Sequence, residues 1–376
     1  MRVYGRGRIQ HFLGDLIVYR NLIPLDRRLP GLPDLRRELE IPTGVTPRKT
    51  SPEYARVIGR ILELAQEMRG VRSPLERLLY IGDTRVNDGT AFINLLASGG
   101  WNGAAFICEE KTGEEERREK EEVPGGTILS CNRWAALASF NSYCAKEAIP
   151  IDEQTAVVID IDKTAIGARG RNDHAIDEVR LLAMRRTARE LLGDAFHEEE
   201  FQVDYARLNQ SLYHPFTTDN QDYLAYACLI LQSGAVTHDE LFRALDEGEL
   251  TEFTQFLSLV DYRKENLSPP LRQVHDSVHD AFLRGNPTPF PDFRHNEYKV
   301  TVEHMGHLKD ETPAVRLLQE EIVITREVME HAMDCHHAGA LVFGLSDKPD
   351  EASIPNEKIE SYLPLHEIET HVIGGG

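Results

Sequence analysis

The sequence predicts an α/β protein built on a doubly wound parallel sheet, with a large and mostly α-helical segment inserted into it. Strand-like apolar runs alternate with helical periodicity over residues 50 to 165. "TAVVID" (155–160) and "ALVFGL" (340–345) are continuous apolar runs, which suits parallel strands buried on both faces. Residues 171 to about 312 break the alternation and read as helix almost throughout. The expected organisation is therefore residues 1–170 as the first part of the core, 171–312 as the helical insertion, and 313–376 as the second part of the core.

The elements follow in order. Residues 1 to 47, rich in Arg, Leu and Pro, suggest a short strand near "DLIVYR" and one short helix. Ser51 is a good N-cap for "PEYARVIGRILELAQEM", with Pro52 at the first helical position and Gly70 after the end. "ERLLYIGD" reads as a strand, "DGTAFINLLASGG" as a helix and "NGAAFICEE" as a strand. The charge run "KTGEEERREKEEVPGG" is expected to be an exposed excursion. "CNRWAALASFNSYCAKEA" is expected to be helical and to lead into "TAVVIDID". After the insertion, the prolines and aromatics of "NPTPFPDFRHNEYKVTVEHMG" suggest a return linker. Arg294 there is available for an anionic substrate, or Phe290 and Phe293 pack into a core. "TPAVRLLQEEIVITREVMEHAMDCHHAG" reads as one long helix closed by Gly339, and "ETHVIGGG" as the last strand of the core.

Composition narrows the function classes. No apolar run among the 376 residues approaches a membrane span, and the N-terminal stretch lacks the apolar core of a secretory signal. Five cysteines without paired spacing suggest reduced thiols and a cytoplasmic home. A formal net charge of -20 leaves no basic excess to neutralise a nucleic-acid backbone, so neither nucleic acid nor membrane is an expected partner. A small anionic substrate needs only a local positive pocket. The oligomeric state is not legible.

Three strands end in polar groups: Asp160 and Asp162 after "VVI", Asp83 and Asp88 after "LLYIG", and Ser346 after "LVFGL". In an open α/β sheet, ligands bind outside the carboxyl ends of the strands. Several carboxylates crowded there would not all stay ionised without a cation. A hard divalent ion with oxygen ligands resolves this, and Mg²⁺ leaves sites for water and phosphate oxygens. A carboxylate nucleophile attacking phosphorus, with a second carboxylate moving the proton, is then sensible chemistry.

On these residues the chain resembles the haloacid dehalogenase-like (HAD) hydrolase superfamily, which implies a Rossmann-like core. "VVIDIDKT" resembles its first motif, "ALVFGLS" its second and "LLYIGDTRVND" its fourth; Lys49, leading the helix before that strand, matches the third. The resemblance implies Asp160 as nucleophile and Asp162 as general acid and then base. Thr164 would brace the loop, and Ser346 and Lys49 would hold the phosphoryl group. It further implies Mg²⁺ held by Asp160, the backbone carbonyl of Asp162, Asp83 and, mainly through water, Asp88. Arg48 and Lys348 compete with Lys49 for the cationic role, and Lys163 stands where the family often has Gly. The motif order is third, fourth, first, insertion, second, as in a circular permutant whose ends lie after "ETHVIG" and before the helix led by Lys49. The insertion occupies the place where the superfamily often carries a helical cap. The expected function is a Mg²⁺-dependent phosphohydrolase acting on a small phosphorylated metabolite. The alternatives are a phosphotransferase or mutase of the same superfamily, or a non-catalytic phosphate-binding protein. "HAMDCHH" (331–337) puts His331 and Cys335 on one helix face, which fits a helix end better than a metal site.

Overall fold

The computed structural model of the chain describes residues 1–355 and 362–375. Its strands are β1 (Arg2–Gly7), β2 (Ile17–Val18), β3 (Arg77–Gly82), β4 (Asn102–Cys108), β5 (Arg118–Val123), β6 (Gly126–Cys131), β7 (Thr155–Asp160), β8 (Ile324–Thr325), β9 (Leu341–Leu345) and β10 (Thr370–Gly374). The chain divides into two compact units, Met1–Glu178 with Thr301–Gly376, and Val179–Val300. These borders lie inside the helices Asp173–Leu192 and Pro291–Glu303, not at residues 170 and 312.

The first unit is α/β. Its larger sheet has the order β2-β9-β7-β3-β4-β6-β5, parallel throughout except for β5, which runs antiparallel to β6. Every residue of β7 and β9 is buried, as their unbroken apolar runs require. Register brings the working ends level. Asp160 pairs with Leu345, and Ile159 with Ile81, so Ser346, Asp160 and the Gly82–Asp83 step leave three adjacent strands side by side.

Helix Pro52–Met68 starts where Ser51 Oγ accepts a hydrogen bond from the Tyr54 N–H (3.2 Å). Its Ala55, Ile58, Leu62 and Ala65 join Leu78, Tyr80, Phe92 and Leu95 in one buried apolar cluster. That packing fixes the start of the helix, and with it Lys49, against the end of β3.

Four expectations change. The charge run is no loose excursion, because its second half forms β5 and turns at Pro124–Gly125 into β6. Its exposed charges suit an edge strand, where they discourage pairing with another chain. The long helix expected over 312–339 is instead two, Ala314–Glu320 and Arg326–His337. Between them lies "IVIT", whose β-branched side chains lose χ1 freedom in a helix; its last two residues form β8. The return linker is helical from Pro291, since a proline at the first helical position lacks only an N–H that would be unpaired anyway. The last strand is not in the core sheet. β10 pairs antiparallel with β1 and parallel with β8 in a separate sheet, and β2, from "DLIVYR", takes the edge beside β9.

The second unit is helical. Arg294 is buried in it, donating to Asp222 Oδ2 through Nε (2.8 Å) and Nη2 (2.5 Å), and to Glu297 Oε2 through Nη1 (2.5 Å). It is an internal strut and not a free anion receptor. Phe290 and Phe293 pack beside it in the core. Among the described residues, no helix is long and apolar enough to cross a membrane.

A direct check on the central register is Gly103→Ala. The added Cβ would sit 1.8 Å from the Leu78 carbonyl oxygen on the neighbouring strand, so β3 and β4 would have to separate. The expected outcome in urea denaturation is a loss of about 2 kcal/mol or more.

Candidate functional site

The site grows from the end of β7. After Asp160 the backbone tightens into a loop, closed by Thr164 N–H to the Ile161 carbonyl (3.3 Å) and Ala165 N–H to the Asp160 carbonyl (3.2 Å). The turn forces Lys163 into the left-handed region (φ 66°), where a Cβ is unfavourable. This explains physically why glycine suits that slot. Lys163 is held there by its Nζ, which donates to both carboxylate oxygens of Asp177 (2.8 Å each). Thr164 is buried, and its carbonyl accepts from Thr325 Oγ1 (2.6 Å), tying the loop to β8.

Lys49 is buried between two carboxylates, with Nζ 2.6 Å from Asp160 Oδ1 and 2.5 Å from Asp88 Oδ1. Arg48 is exposed. Lys348 is buried beside Ser346, and its N–H donates to Ser346 Oγ (3.1 Å). The structure thus brings Lys49 onto Asp160.

Asp88 folds back onto the end of β3. Its Oδ2 accepts from the N–H groups of Asp83 (3.0 Å) and Thr84 (2.9 Å) and from Thr84 Oγ1 (3.1 Å), and its Oδ1 from Tyr80 OH (3.2 Å) and Lys49. Gly82 makes this possible, since a Cβ there would lie 2.5 Å from the Asp88 side chain. With both oxygens engaged, Asp88 orients Lys49 and the 83–84 backbone and so aims Asp83. Asp83 Oδ2 accepts from Arg169 Nε (2.5 Å). Arg169 is anchored in turn by its N–H to the Lys163 carbonyl (2.8 Å) and by its own carbonyl, which accepts from Glu110 N–H and Trp134 Nε1.

Sequence reasoning missed Arg169, Tyr80 and Thr84. The "GARG" following the first acidic pair is the one trace of Arg169, and nothing in it points to an aspartate 86 positions earlier. Asp162 is half-buried one turn from Asp160 and close enough to raise the Asp160 pKa. Ser346 is fully buried, with its N–H on the Val18 carbonyl. His331 and Cys335 touch each other (3.5 Å) in the packing under Phe140. Burial lowers the His331 pKa to about 4, so they act as core residues.

Carboxylate oxygens of Asp83, Asp88 and Asp160 lie within 4.8 Å of one another. Burial, reinforced by Asp88 and opposed by Lys49, pushes the Asp160 carboxyl up to about 7. Burial with Asp160 and Asp88 pushes Asp83 up to about 9. At Asp88 burial works the same way but is outweighed by Lys49 and the donors around Asp83 and Thr84, which bring it down to about 2. Lys49 and Arg169 pair with these three carboxylates, and a hard divalent ion on oxygen ligands would offset their remaining negative charge. Asp160 and Asp83 each keep a second oxygen for such an ion. Among the described residues the hydroxyls of Tyr54 and Thr164 are buried without a partner, so the surroundings also suit a polar ligand. An open cleft of about 280 Å³ reaches Asp83 and is lined by Arg85, Lys111, Arg117 and Asn132 among acidic neighbours.

Comparison with known proteins gave no match: no family model, no curated protein and no solved structure is significantly similar to this chain.

The raised pKa values carry a sign. Asp83 and Asp160 hold protons in the folded state at pH values where the unfolded chain has lost them. Their cost to stability therefore appears as pH rises above about 4 and grows through the two folded values. Asp88, shifted the other way, changes stability only below that range. In the presence of a chelator, Tm is expected to fall from pH 5 to pH 9, and Asp83→Asn to flatten the slope. A slope unchanged by Asp83→Asn would contradict the coupling.

Proposed function

We propose that the protein is a divalent-metal-dependent phosphohydrolase with a circularly permuted HAD-like core, acting on a small phosphorylated metabolite. The observation that carries this reading is the adjacency of β9, β7 and β3, whose level ends present Ser346, Asp160 and Asp83 beside a buried Lys49. On this reading the permuted core would begin with β2, the neighbour of β9 in the sheet, and "ETHVIG", which pairs in the separate sheet, would lie outside it. The helical unit enters the sequence between β7 and β9, where the superfamily places a cap.

In the proposed reaction, a carboxylate oxygen of Asp160 attacks phosphorus and the bond from phosphorus to the leaving oxygen breaks. Asp162 delivers a proton to that oxygen. Water then attacks the phospho-aspartyl group, Asp162 takes its proton, and inorganic phosphate leaves with Asp160 restored. Lys49 and the Ser346 hydroxyl neutralise and orient the phosphoryl oxygens. Mg²⁺, when bound by Asp160, Asp83 and the Asp162 carbonyl, would supply charge neutralisation at phosphorus. Lys49 opposes the effect of burial on the Asp160 carboxyl and so favours the ionised nucleophile.

The test is turnover of p-nitrophenyl phosphate, followed by a panel of phosphorylated metabolites, with and without Mg²⁺. Asp160→Asn is expected to reduce release to background, and Asp162→Asn to lower kcat by about 10²–10⁴-fold. Equal phosphate release by wild type and Asp160→Asn would overturn the reading.

A further inference from the structure

We propose that the helical unit carries a second metal site, for a first-row transition ion such as Zn²⁺, formed by Asp261, His275 and His279. The site lies wholly within this unit and is independent of the proposed hydrolase reaction.

The local sequence builds it. Helix Phe253–Tyr262 ends one residue after Asp261, and Pro269 opens the next helix, Pro269–Leu283. His275 and His279 are four residues apart on that second helix and therefore share a face. A short connection returns the face to Asp261. Ligating atoms of all three side chains lie within 4.8 Å of one another. Asp261 Oδ1 is 3.5 Å from His275 Nε2. That is close to the spacing of two ligands at about 2.0–2.1 Å from a tetrahedral ion. The two imidazole rings lie 5.6 Å apart at 23°, one turn above the other.

A second observation points to a ligand. His275 is fully buried, and its Nδ1 is 2.6 Å from the hydroxyl of Tyr226, itself buried on helix Gln221–Gln232. In the tautomer whose Nδ1–H donates to that oxygen, the one an ion on Nε2 would select, the Nε2 lone pair faces Asp261 and His279. This is the outer hydrogen bond that commonly orients a metal-bound histidine. Asp261 and His279 are only half-buried, which gives an ion a path from solvent. Lys264 Nζ lies 3.2 Å from Asp261 Oδ1 on a partly exposed, flexible stem, and it is the group an ion would displace.

The donor set separates this site from the one at β7. Two imidazole nitrogens and one carboxylate favour Zn²⁺, Co²⁺ or Ni²⁺, whereas Asp83 and Asp160 offer only oxygen to a hard ion. Three protein ligands leave the remaining position to water. Bound there, the ion would join the end of one helix to the middle of the next and stabilise the unit.

The experiment uses the full chain, stripped with a chelator and titrated with Co²⁺ alone, with Zn²⁺ as competitor. Wild type and Asp83→Asn are both expected to show the same ligand-field absorption of one Co²⁺ equivalent at this site, displaced by Zn²⁺, whatever further Co²⁺ the wild type takes at its all-oxygen site, and Zn²⁺ is expected to raise Tm. His279→Ala and Asp261→Ala, at half-buried positions, are expected to keep the chelated Tm and lose that absorption. Tyr226→Phe should weaken binding about 10–100-fold with all three ligands in place. An absorption that persists in the His279→Ala, Asp261→Ala double variant, or that vanishes in Asp83→Asn alone, would overturn the proposal, as would failure of wild type to bind.

Discussion

The candidate site depends on one buried ammonium group. Lys49 Nζ lies between Asp88 and Asp160, and all three side chains are almost wholly removed from solvent. Burial alone would lower the Lys49 pKa, but the two carboxylates outweigh it and hold the pKa well above the ordinary value. Charges taken out of water are costly, and their mutual attraction offsets that cost only while every partner stays in place. The arrangement therefore couples the helix that starts at Ser51, the turn after β3 and the end of β7. Displacing any one of them leaves an uncompensated buried charge.

Two backbone features allow this. Gly82 has no Cβ, and only so can Asp88 reach back across the end of β3. At the other strand, Lys163 accepts a left-handed conformation so that the chain can turn directly after Asp160. The salt bridge to Asp177 and the backbone hydrogen bonds of the loop hold Lys163 in this unfavourable conformation. Arg169 then joins the two loops by reaching from the end of the turn to Asp83. Strain and ion pairing are thus concentrated on one end of one sheet, which is where an α/β fold offers a ligand its cleft.

Much of the core was legible because parallel strands buried on both faces must be apolar along their whole length. "TAVVID", "LLYIG" and "LVFGL" stand out for that reason, and the polar residues ending them are conspicuous. The helix from Pro52 was equally legible, since its cap, its proline and its apolar spacing agree. Local pattern failed where pairing partners decided. β5 is charged throughout its exposed face and becomes a strand because β6 accepts it; "IVIT" leaves a helical context because β10 is there to pair with; "ETHVIG" looks like a core strand but lies in another sheet. Arg294 illustrates the same limit, since only its neighbours Asp222 and Glu297 show that its charge is already committed.

By itself the sequence determined the α/β class, the mostly helical character of residues 171 to about 312 and the chemical types at three strand ends, because these follow from periodicity and side-chain chemistry along a local stretch. Tertiary structure alone decided that β9, β7 and β3 are neighbours, that Lys49 and not Arg48 meets Asp160, and that Arg169 meets Asp83. It also brought His275 and His279 to Asp261 with Tyr226 behind them. The physical reason is common to all of these. A salt bridge or a metal site is a property of distance between side chains, and distance across dozens of residues is set by packing, register and the direction of turns, none of which a local pattern contains.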